Sequence, residues 1–232
     1  MTLTPEEWSI VQLSLSVAFL ATLLCLPVGV ALAWVLARHD FWGKSAVNSL
    51  VHLPLVLPPV VTGYLLLLAF GKNGVVGKFL VDYLNISFAF RWTGAALAAA
   101  LMALPLMVRA VRLSMEAIDE NLVDAAATLG ASRLQVFLLV IVPLAAPGIA
   151  VGTILTFIKA LGEFGATITF VSSIPNETQT LSLAIHSLLQ TPGGDGPAWR
   201  LILISLALAS VALLISEQIE KFLLQRTKPP YT

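Results

Sequence analysis

The sequence predicts an all-α protein that crosses a membrane about five times. Hydrophobic residues make up 58% of the chain and charged residues 11%, and the mean hydropathy is +0.91. In a soluble domain about a quarter of all residues would be charged. Five apolar stretches reach the length of about 20 residues that a helix needs to span a bilayer. We therefore expect residues 1–232 to form a single transmembrane domain.

The first two stretches differ in regularity. The first covers about residues 10–37 and has no Lys or Arg ahead of it, which favours a retained membrane anchor over a cleaved signal peptide. The second covers about 50–70 and carries Pro54, Pro58 and Pro59. Because proline cannot donate a backbone hydrogen bond, this span should be irregular. Irregular backbone at membrane depth lines a cavity or is buried in protein.

The third stretch, about 94–113, reads as one helix, whereas the fourth does not. The fourth lies within 136–171, which is too long for one straight crossing. Pro143 and Pro147 should kink the chain near its start. We therefore place the fourth crossing at about 147–170.

The fifth stretch covers about 201–219, and a shorter apolar segment at 181–189 precedes it. The shorter segment cannot span and should lie at the interface or against the bundle. Five crossings put the termini on opposite sides. Eight of the 13 Lys and Arg residues fall on the side of the loop at 114–135, which predicts an external N-terminus and a cytoplasmic C-terminus.

The loop at 114–135 is the most polar part of the chain. Its acids are Glu116, Asp119, Glu120 and Asp124. Apolar residues at helical spacing predict one amphipathic helix over 115–129. The apolar stripe consists of Met115, Ile118, Leu122, Ala125, Ala126 and Leu129. This stripe either packs on the protein's own helices or docks on a partner, and periodicity alone does not separate the two.

The end of this helix and the start of the next carry local signals. Gly130 can adopt the left-handed conformation that ends a helix. Ser132 and Gln135 then match a capping box that begins another. The loop is thus predicted to be two short helices around a tight turn.

The amino-acid sequence of the loop resembles a known signature. The segment Asp124-Ala125-Ala126, three residues, Gly130, nine residues and Val140-Ile141-Val142-Pro143 resembles the E-A-A-x3-G-x9-I-x-L-P motif of ABC importer permeases. Asp replaces Glu, and Val replaces Ile and Leu. In that family the loop is a coupling helix that sits in a cleft of the ATP-binding subunit. The resemblance implies an ATPase-coupling surface formed by Asp124, Ala125, Ala126 and Gly130, together with Glu116, Asp119 and Glu120.

The fourth span carries a polar face. Residues Thr153, Thr156, Lys159, Glu163 and Thr167 recur at intervals of three and four. Lys159 and Glu163 are close enough on a helix to pair, and ionisable groups in a membrane tend to face protein or water. Gly162 and Gly165 permit a close backbone approach or a local break. This face either holds the bundle together or lines a translocation pathway.

The segment "GEFGAT" at 162–167 favours the pathway, because it resembles the gate of permeases for tetrahedral oxyanions, molybdate above all. We assign the pathway and gate to Thr156, Lys159, Gly162, Glu163, Gly165 and Thr167, with Pro58 and Pro59.

The sequence does not indicate that this chain is itself an enzyme. The nearest match to a phosphate-binding loop, residues 71–79, has the wrong glycine spacing, and Phe79 replaces the Mg-binding Ser or Thr. We therefore expect no cofactor in this chain, with ATP and Mg bound by a separate ATPase subunit. The single Cys25 excludes an internal disulfide. The three histidines lack metal-ligand spacing, so no metal site is expected.

Nearly the whole chain is similar to molybdate/tungstate permeases, and "RHDFWGKS" at 38–45 resembles their R-x-x-F-x-G-K loop. Two roles are open for the charged and aromatic residues of that loop, which are Arg38, Phe41, Trp42 and Lys44. They either contact the nucleotide-binding subunit or anchor the helix at the membrane interface, and we prefer anchoring. The resemblance implies a type I ABC importer permease core in a bacterial inner membrane. It also implies a homodimer of permeases, two ATP-binding subunits on the cytoplasmic side, a soluble binding protein outside, and import by alternating access.

Other functions remain open at this stage. Sulfate and thiosulfate permeases share the fold and the loop, so the substrate rests on resemblance alone. A secondary transporter driven by an ion gradient would usually be longer and show an internal repeat. A membrane-embedded enzyme would rely on Lys159 and Glu163, and a purely structural subunit would not need the polar face. The balanced charge of 13 basic and 13 acidic residues gives no indication of nucleic-acid binding.

Overall fold

The structure is a computed structural model that describes residues 4–227, with side chains up to residue 219. The described residues form α-helices and one π-helical turn. The helices are α1 (Pro5–Arg38), α2 (Lys44–Val56), α3 (Pro59–Phe70), α4 (Val75–Leu84), α5 (Trp92–Glu116), α6 (Glu120–Thr128), α7 (Arg133–Val136), the π-helix (Phe137–Ile141), α8 (Val142–Leu144), α9 (Ala146–Leu161), α10 (Gly165–Val171), α11 (Leu181–Leu189) and α12 (Asp195–Thr227).

The prediction of about five crossings holds if each bent helix pair counts as one span. Three single helices, α1, α5 and α12, are long and apolar enough to cross a membrane. Two further candidates are broken: α2 and α3 meet at 113°, and the segment Arg133–Leu144 meets α9 at 70°. The protein is therefore a multi-pass, all-helical bundle with two bent elements.

The first and last spans are longer than predicted, and local signals explain the early start of the first. Thr4 and Glu7 form a capping box at the start of α1, and Pro5 occupies its first turn, where a missing N–H costs nothing. Glu7 also accepts a hydrogen bond from Nε of Arg200 at 2.7 Å, which joins the start of α1 to the start of α12. Both helices therefore begin at the same end of the bundle.

The second predicted span, 50–70, is not one helix. Pro54 is accommodated inside α2, and the chain breaks only at Leu57 and Pro58. Pro58 adopts an extended conformation, and Pro59 is the first residue of α3. The irregularity expected from three prolines is confirmed, with the break at the Pro58–Pro59 pair.

The predicted helix over 115–129 is wrong as a single element. Helix α5 continues to Glu116, and α6 begins at Glu120 after a break. The break occurs because Asp119 adopts an extended backbone and its carboxylate accepts the Asn121 N–H at 3.0 Å, which is an N-cap. Met115 and Ile118 belong to the hydrophobic core, so they leave the exposed stripe.

The turn that follows α6 is as predicted. Gly130 has a φ of +87°, in the left-handed region. The Ala131 N–H donates to the Ala126 carbonyl at 3.2 Å, which closes the end of α6. Ser132 and Gln135 form the predicted capping box at the start of α7.

The fourth span departs from the predicted crossing at 147–170. The π-helix lies just before Pro143, and Pro147 sits in the first turn of α9. Helix α9 ends at Leu161, and residues 162–164 separate it from α10. The kinks predicted at the prolines are confirmed, but the crossing is interrupted a second time at the glycines.

Helix α5 forms the centre of the bundle. Its half farther from α6 buries small side chains: Ala95, Ala96, Ala98, Ala99, Ala100 and Ala103. Its other half buries larger ones: Met107, Val108, Val111 and Met115. Glycine at position 152 of α9 lies against Met107, since an added Cβ would be 3.0 Å from its sulfur. The small residues therefore serve helix packing within this chain.

Helix α11 lies against the bundle, as predicted for 181–189. Leu181 and Ala184 form a small apolar cluster with Val11 of α1 and Leu201 of α12. The Leu181 N–H donates to the hydroxyl of Ser14 at 2.7 Å in the buried interior. This helix closes the end of the bundle opposite α6.

Candidate functional site

The Lys159–Glu163 pair lies at the second interruption of the fourth span. Nζ of Lys159 donates to Oε2 of Glu163 at 2.8 Å. The other carboxylate oxygen accepts the Ala166 N–H at 3.1 Å, so Glu163 also caps the start of α10. The Glu163 side chain is 2% exposed, whereas the Lys159 side chain is 33% exposed. The pair bridges the gap between α9 and α10.

The threonines of the predicted polar face are arranged less uniformly. Thr156 and Thr167 are buried, and the Thr156 hydroxyl has no hydrogen-bond partner among the described residues. Thr62 of α3 likewise has a buried hydroxyl without a hydrogen-bond partner among the described residues. Thr153, in contrast, bonds its own helix through the Ile149 carbonyl at 2.7 Å. The buried hydroxyls remain available as donors.

The two broken elements meet through glycine. A Cβ added at Gly165 would lie 2.7 Å from the Cβ of Pro59, and one added at Gly63 would collide with the Ala166 carbonyl oxygen. Helix α10 therefore lies directly on the first turns of α3, which the Pro58–Pro59 break positions. Gly162 makes no such approach and only ends α9. The structure thus brings together Gly165, Pro59 and, through the cap on α10, Glu163.

The loop at 114–135 packs on the bundle through one face of α6 and leaves the other face of that helix uncovered. Val123 and Ala126 contact the core. Leu122 and Leu129 are 51% and 89% exposed, and Ala125 is exposed beside them. Packing on the protein's own helices is therefore confirmed for Met115, Ile118 and Ala126 of the stripe, and docking on a partner stays a prediction for the exposed residues. More exposed apolar side chains continue this surface beyond Gly130: Leu134, Leu138 and Leu139.

The four acids of the loop do not form one cluster. Glu116 lies at the end of α5 and accepts from Nε of Arg112 at 2.7 Å, away from α6. Asp119 is occupied as the N-cap. Glu120 and Asp124 line a cavity of about 380 Å³ between the end of α1, α6 and α7. The assignment of all four acids to one coupling surface stays a prediction.

Sequence reasoning missed the position of Arg38. Its Nη2 donates to the carbonyl oxygens of Met115 and Ile118 at 2.9 and 3.0 Å, and its side chain is 14% exposed. Its guanidinium is therefore bonded to the end of α5, a contact that neither sequence-based interpretation included. No local pattern reveals this contact, because the partners lie 77 and 80 residues away in the chain.

The rest of the 38–45 loop is exposed. Trp42 is fully exposed, and Lys44 donates to Asp40 at 2.8 Å. The hydrogen bond from Lys44 lowers the pKa of the Asp40 carboxyl. Among the described residues, no three His, Cys, Asp or Glu side chains come close enough to hold a metal ion. Cys25 is buried and contacts the Ala100 carbonyl at 3.1 Å.

Comparisons with known proteins agree with this architecture. The family model described as "binding-protein-dependent transport system inner membrane component" matches residues 26–225. The molybdenum transport system permease protein ModB of Escherichia coli K12 is 55% identical over 97% of this chain and 99% of its own length. The sulfate transport system permease protein CysT of Salmonella typhimurium is 36% identical, over 91% of this chain and 76% of its own.

A solved structure shares the fold. The crystal structure of a bacterial alginate ABC transporter, in complex with a pentasaccharide-bound periplasmic protein, superposes with a TM-score of 0.73 at 18% identity. The match covers 93% of this chain and 78% of that one. The family model and the E. coli relative each cover most of the sequence, and the broken-helix bundle has the same fold as a transporter subunit. The chain belongs to the family of binding-protein-dependent transport system inner membrane components.

Proposed function

We propose that this chain is the permease subunit of an ATP-driven importer of molybdate or tungstate. The uncovered face of α6 carries this proposal, because apolar side chains such as Leu129 are exposed to water unless a partner covers them. The resemblance of this segment to the E-A-A-x3-G signature of ABC importer permeases indicates an ATP-binding subunit as that partner. The substrate rests on likeness to the E. coli relative, which at 55% identity far exceeds the 36% of the sulfate permease.

The proposed assembly follows from the apolar surfaces that a single copy of the chain leaves exposed. Two copies of the permease would cover the exposed apolar sides of α2 and α3, which include Leu50, Val56 and Tyr64. Two ATPase subunits, which bind ATP and Mg, dock on the two α6 helices, and a soluble binding protein delivers the anion from the other side. This arrangement places α6 and the C-terminus in the cytoplasm and the N-terminus outside.

The pathway is proposed to pass the contact between the two broken elements. Glu163 neutralises the Lys159 ammonium, so this region offers hydroxyl and amide donors without a net positive charge. A doubly charged oxyanion would be held too tightly by an unpaired cation, whereas conduction requires contacts weak enough to release the ion. Thr156, Thr167, Gly162, Gly165, Pro58 and Pro59 complete this gate.

Movement at the gate follows from its construction. Helices α3 and α10 approach each other closely at Gly63 and Gly165, and each helix adjoins a non-helical break. Closure of the ATPase pair would bring the two α6 helices together and rotate the bent elements. The cavity would then open alternately to each side of the membrane.

The test is uptake of radiolabelled molybdate into proteoliposomes that contain the permease, its ATPase and its binding protein. We expect ATP-dependent uptake that resists an excess of sulfate. Replacing Gly130 by Val should abolish uptake while the chain still inserts, because a φ of +87° is strained for valine. Gly43 has a φ of +96° and equally open surroundings, so Gly43→Val is the matched control.

The outcomes separate the two parts of the proposal. Uptake blocked by sulfate would move this chain to the sulfate permeases. Uptake that Gly130→Val lowers no more than Gly43→Val would show that the α6 turn does not couple to the ATPase.

A further inference from the structure

One guanidinium connects the end of α1 to the junction between α5 and α6. Arg38 is the last residue of α1, and its Nη2 bonds the Met115 and Ile118 carbonyls where α5 ends. Its Nη1 lies 3.6 Å from Oε1 of Glu120, the first residue of α6. The end of α1, the end of α5 and the start of the coupling helix therefore meet on one side chain.

The hydrogen bonds to the carbonyls are the stronger part of this contact. The last carbonyls of a helix lack intrahelical partners, and a cation beside them is also favoured by the helix dipole. The Arg38 side chain is 14% exposed, so these bonds are shielded from water. The Glu120 side chain is 87% exposed, and an ion pair at such a surface contributes little.

The position of the contact gives it mechanical significance. Residues 117–119 form the break between α5 and α6, and a break of this kind lets α6 pivot on α5. Arg38 bonds the carbonyls on both sides of Ala117, one at the end of α5 and one inside the break. It thus fixes the pivot and fastens it to the end of α1.

We propose that Arg38 is a positioning residue that makes α1, α5 and the coupling helix move as one unit. This inference rests on the proposed function, in which α6 receives the motion of the ATPase. With Arg38 in place, a displacement of α6 moves two membrane-spanning helices. Without it, α6 pivots at residues 117–119, and ATP is hydrolysed without an equivalent movement in the membrane.

The test measures transport and ATP hydrolysis together in the complete reconstituted transporter. Arg38→Met keeps the aliphatic stem and removes every donor. Arg38→Lys keeps the charge with a single donor group. Lys44→Met is the control, since it removes an exposed ion pair at the same end of the bundle.

We expect Arg38→Met to lower the number of anions transported per ATP by about fivefold or more, with ATP hydrolysis retained. Arg38→Lys should give an intermediate ratio, and Lys44→Met the wild-type ratio. An unchanged ratio in Arg38→Met would overturn the proposal. Equal losses of transport and hydrolysis would also overturn it, because they indicate a general structural defect. If Arg38→Met fails to assemble, the ratio in Arg38→Lys decides in the same way.

A second measurement does not depend on the substrate. Backbone amide exchange of residues 117–122 should be faster in Arg38→Met than in Lys44→Met within the assembled complex, because the pivot is released. If the wild-type transporter moves no anion, the proposed function fails, and the exchange measurement alone decides on Arg38. Equal exchange in the two variants would refute the role of Arg38.

Discussion

Removing either partner of the Lys159–Glu163 pair should destabilise the protein unequally. Glu163 is 2% exposed and Lys159 is 33% exposed. In Lys159→Met, a buried carboxylate keeps only the Ala166 N–H as a donor. Breaking a buried pair in this way costs about 3–5 kcal/mol, because the remaining charge is uncompensated.

The opposite change should cost less. In Glu163→Gln, the amide oxygen still accepts the Ala166 N–H, and the partly exposed Lys159 ammonium can turn toward water. We expect a loss of about 1 kcal/mol, the size of one ordinary hydrogen bond. The double variant should be more stable than Lys159→Met, since it removes the buried charge as well.

The measurement is the free energy of unfolding of the purified permease in mixed micelles, titrated with SDS and followed by tryptophan fluorescence. The double-mutant cycle should give a coupling of about 2 kcal/mol. The reasoning is refuted if Glu163→Gln destabilises as much as Lys159→Met. It is equally refuted if the double variant is less stable than Lys159→Met.

Two further changes test the contacts that hold the bent elements and the closing helix. Gly63→Ala forces a methyl group onto the facing carbonyl oxygen of α10 and should destabilise by about 1–3 kcal/mol in the same titration. Gly196→Ala has open space and should be nearly neutral, so equal losses would mean that α3 and α10 are not in close contact. Ser14→Ala leaves the buried Leu181 N–H without an acceptor and should cost about 1–3 kcal/mol. Ser16→Ala removes an exposed bond within α1 and should cost less; a reversed order would show that the α1–α11 contact is unimportant.

The features predicted correctly from the sequence are those that local chemistry determines. The capping box at Ser132, the left-handed turn at Gly130 and the helix at 181–189 each depend on a few neighbouring residues. The pairing of Lys159 with Glu163 also depends on local spacing, and it holds although the helix breaks between them.

The features that were missed depend on long-range packing or on competition between signals. Periodicity continued through residues 115–129 because Met115 and Ile118 are in phase with Leu122, and it gave no sign that Asp119 would cap a new helix. The sequence shows that a proline-rich span bends, but the angle of 113° depends on what α3 packs against. Arg38 is identifiable only when α1 and α5 lie side by side.

The unequal halves of α5 have a mechanical consequence. Where its buried face consists of alanines with the single exception of Met102, most ridges that neighbouring helices meet are only one carbon deep, so sliding along the axis is opposed by less steric interlocking. Where it buries Met107, Val108, Val111 and Met115, larger side chains interdigitate and resist such sliding. Shear between helices is therefore easiest in the half of α5 remote from α6. The half near α6 behaves as a rigid block that transmits a displacement of α6 to the half that shears more easily.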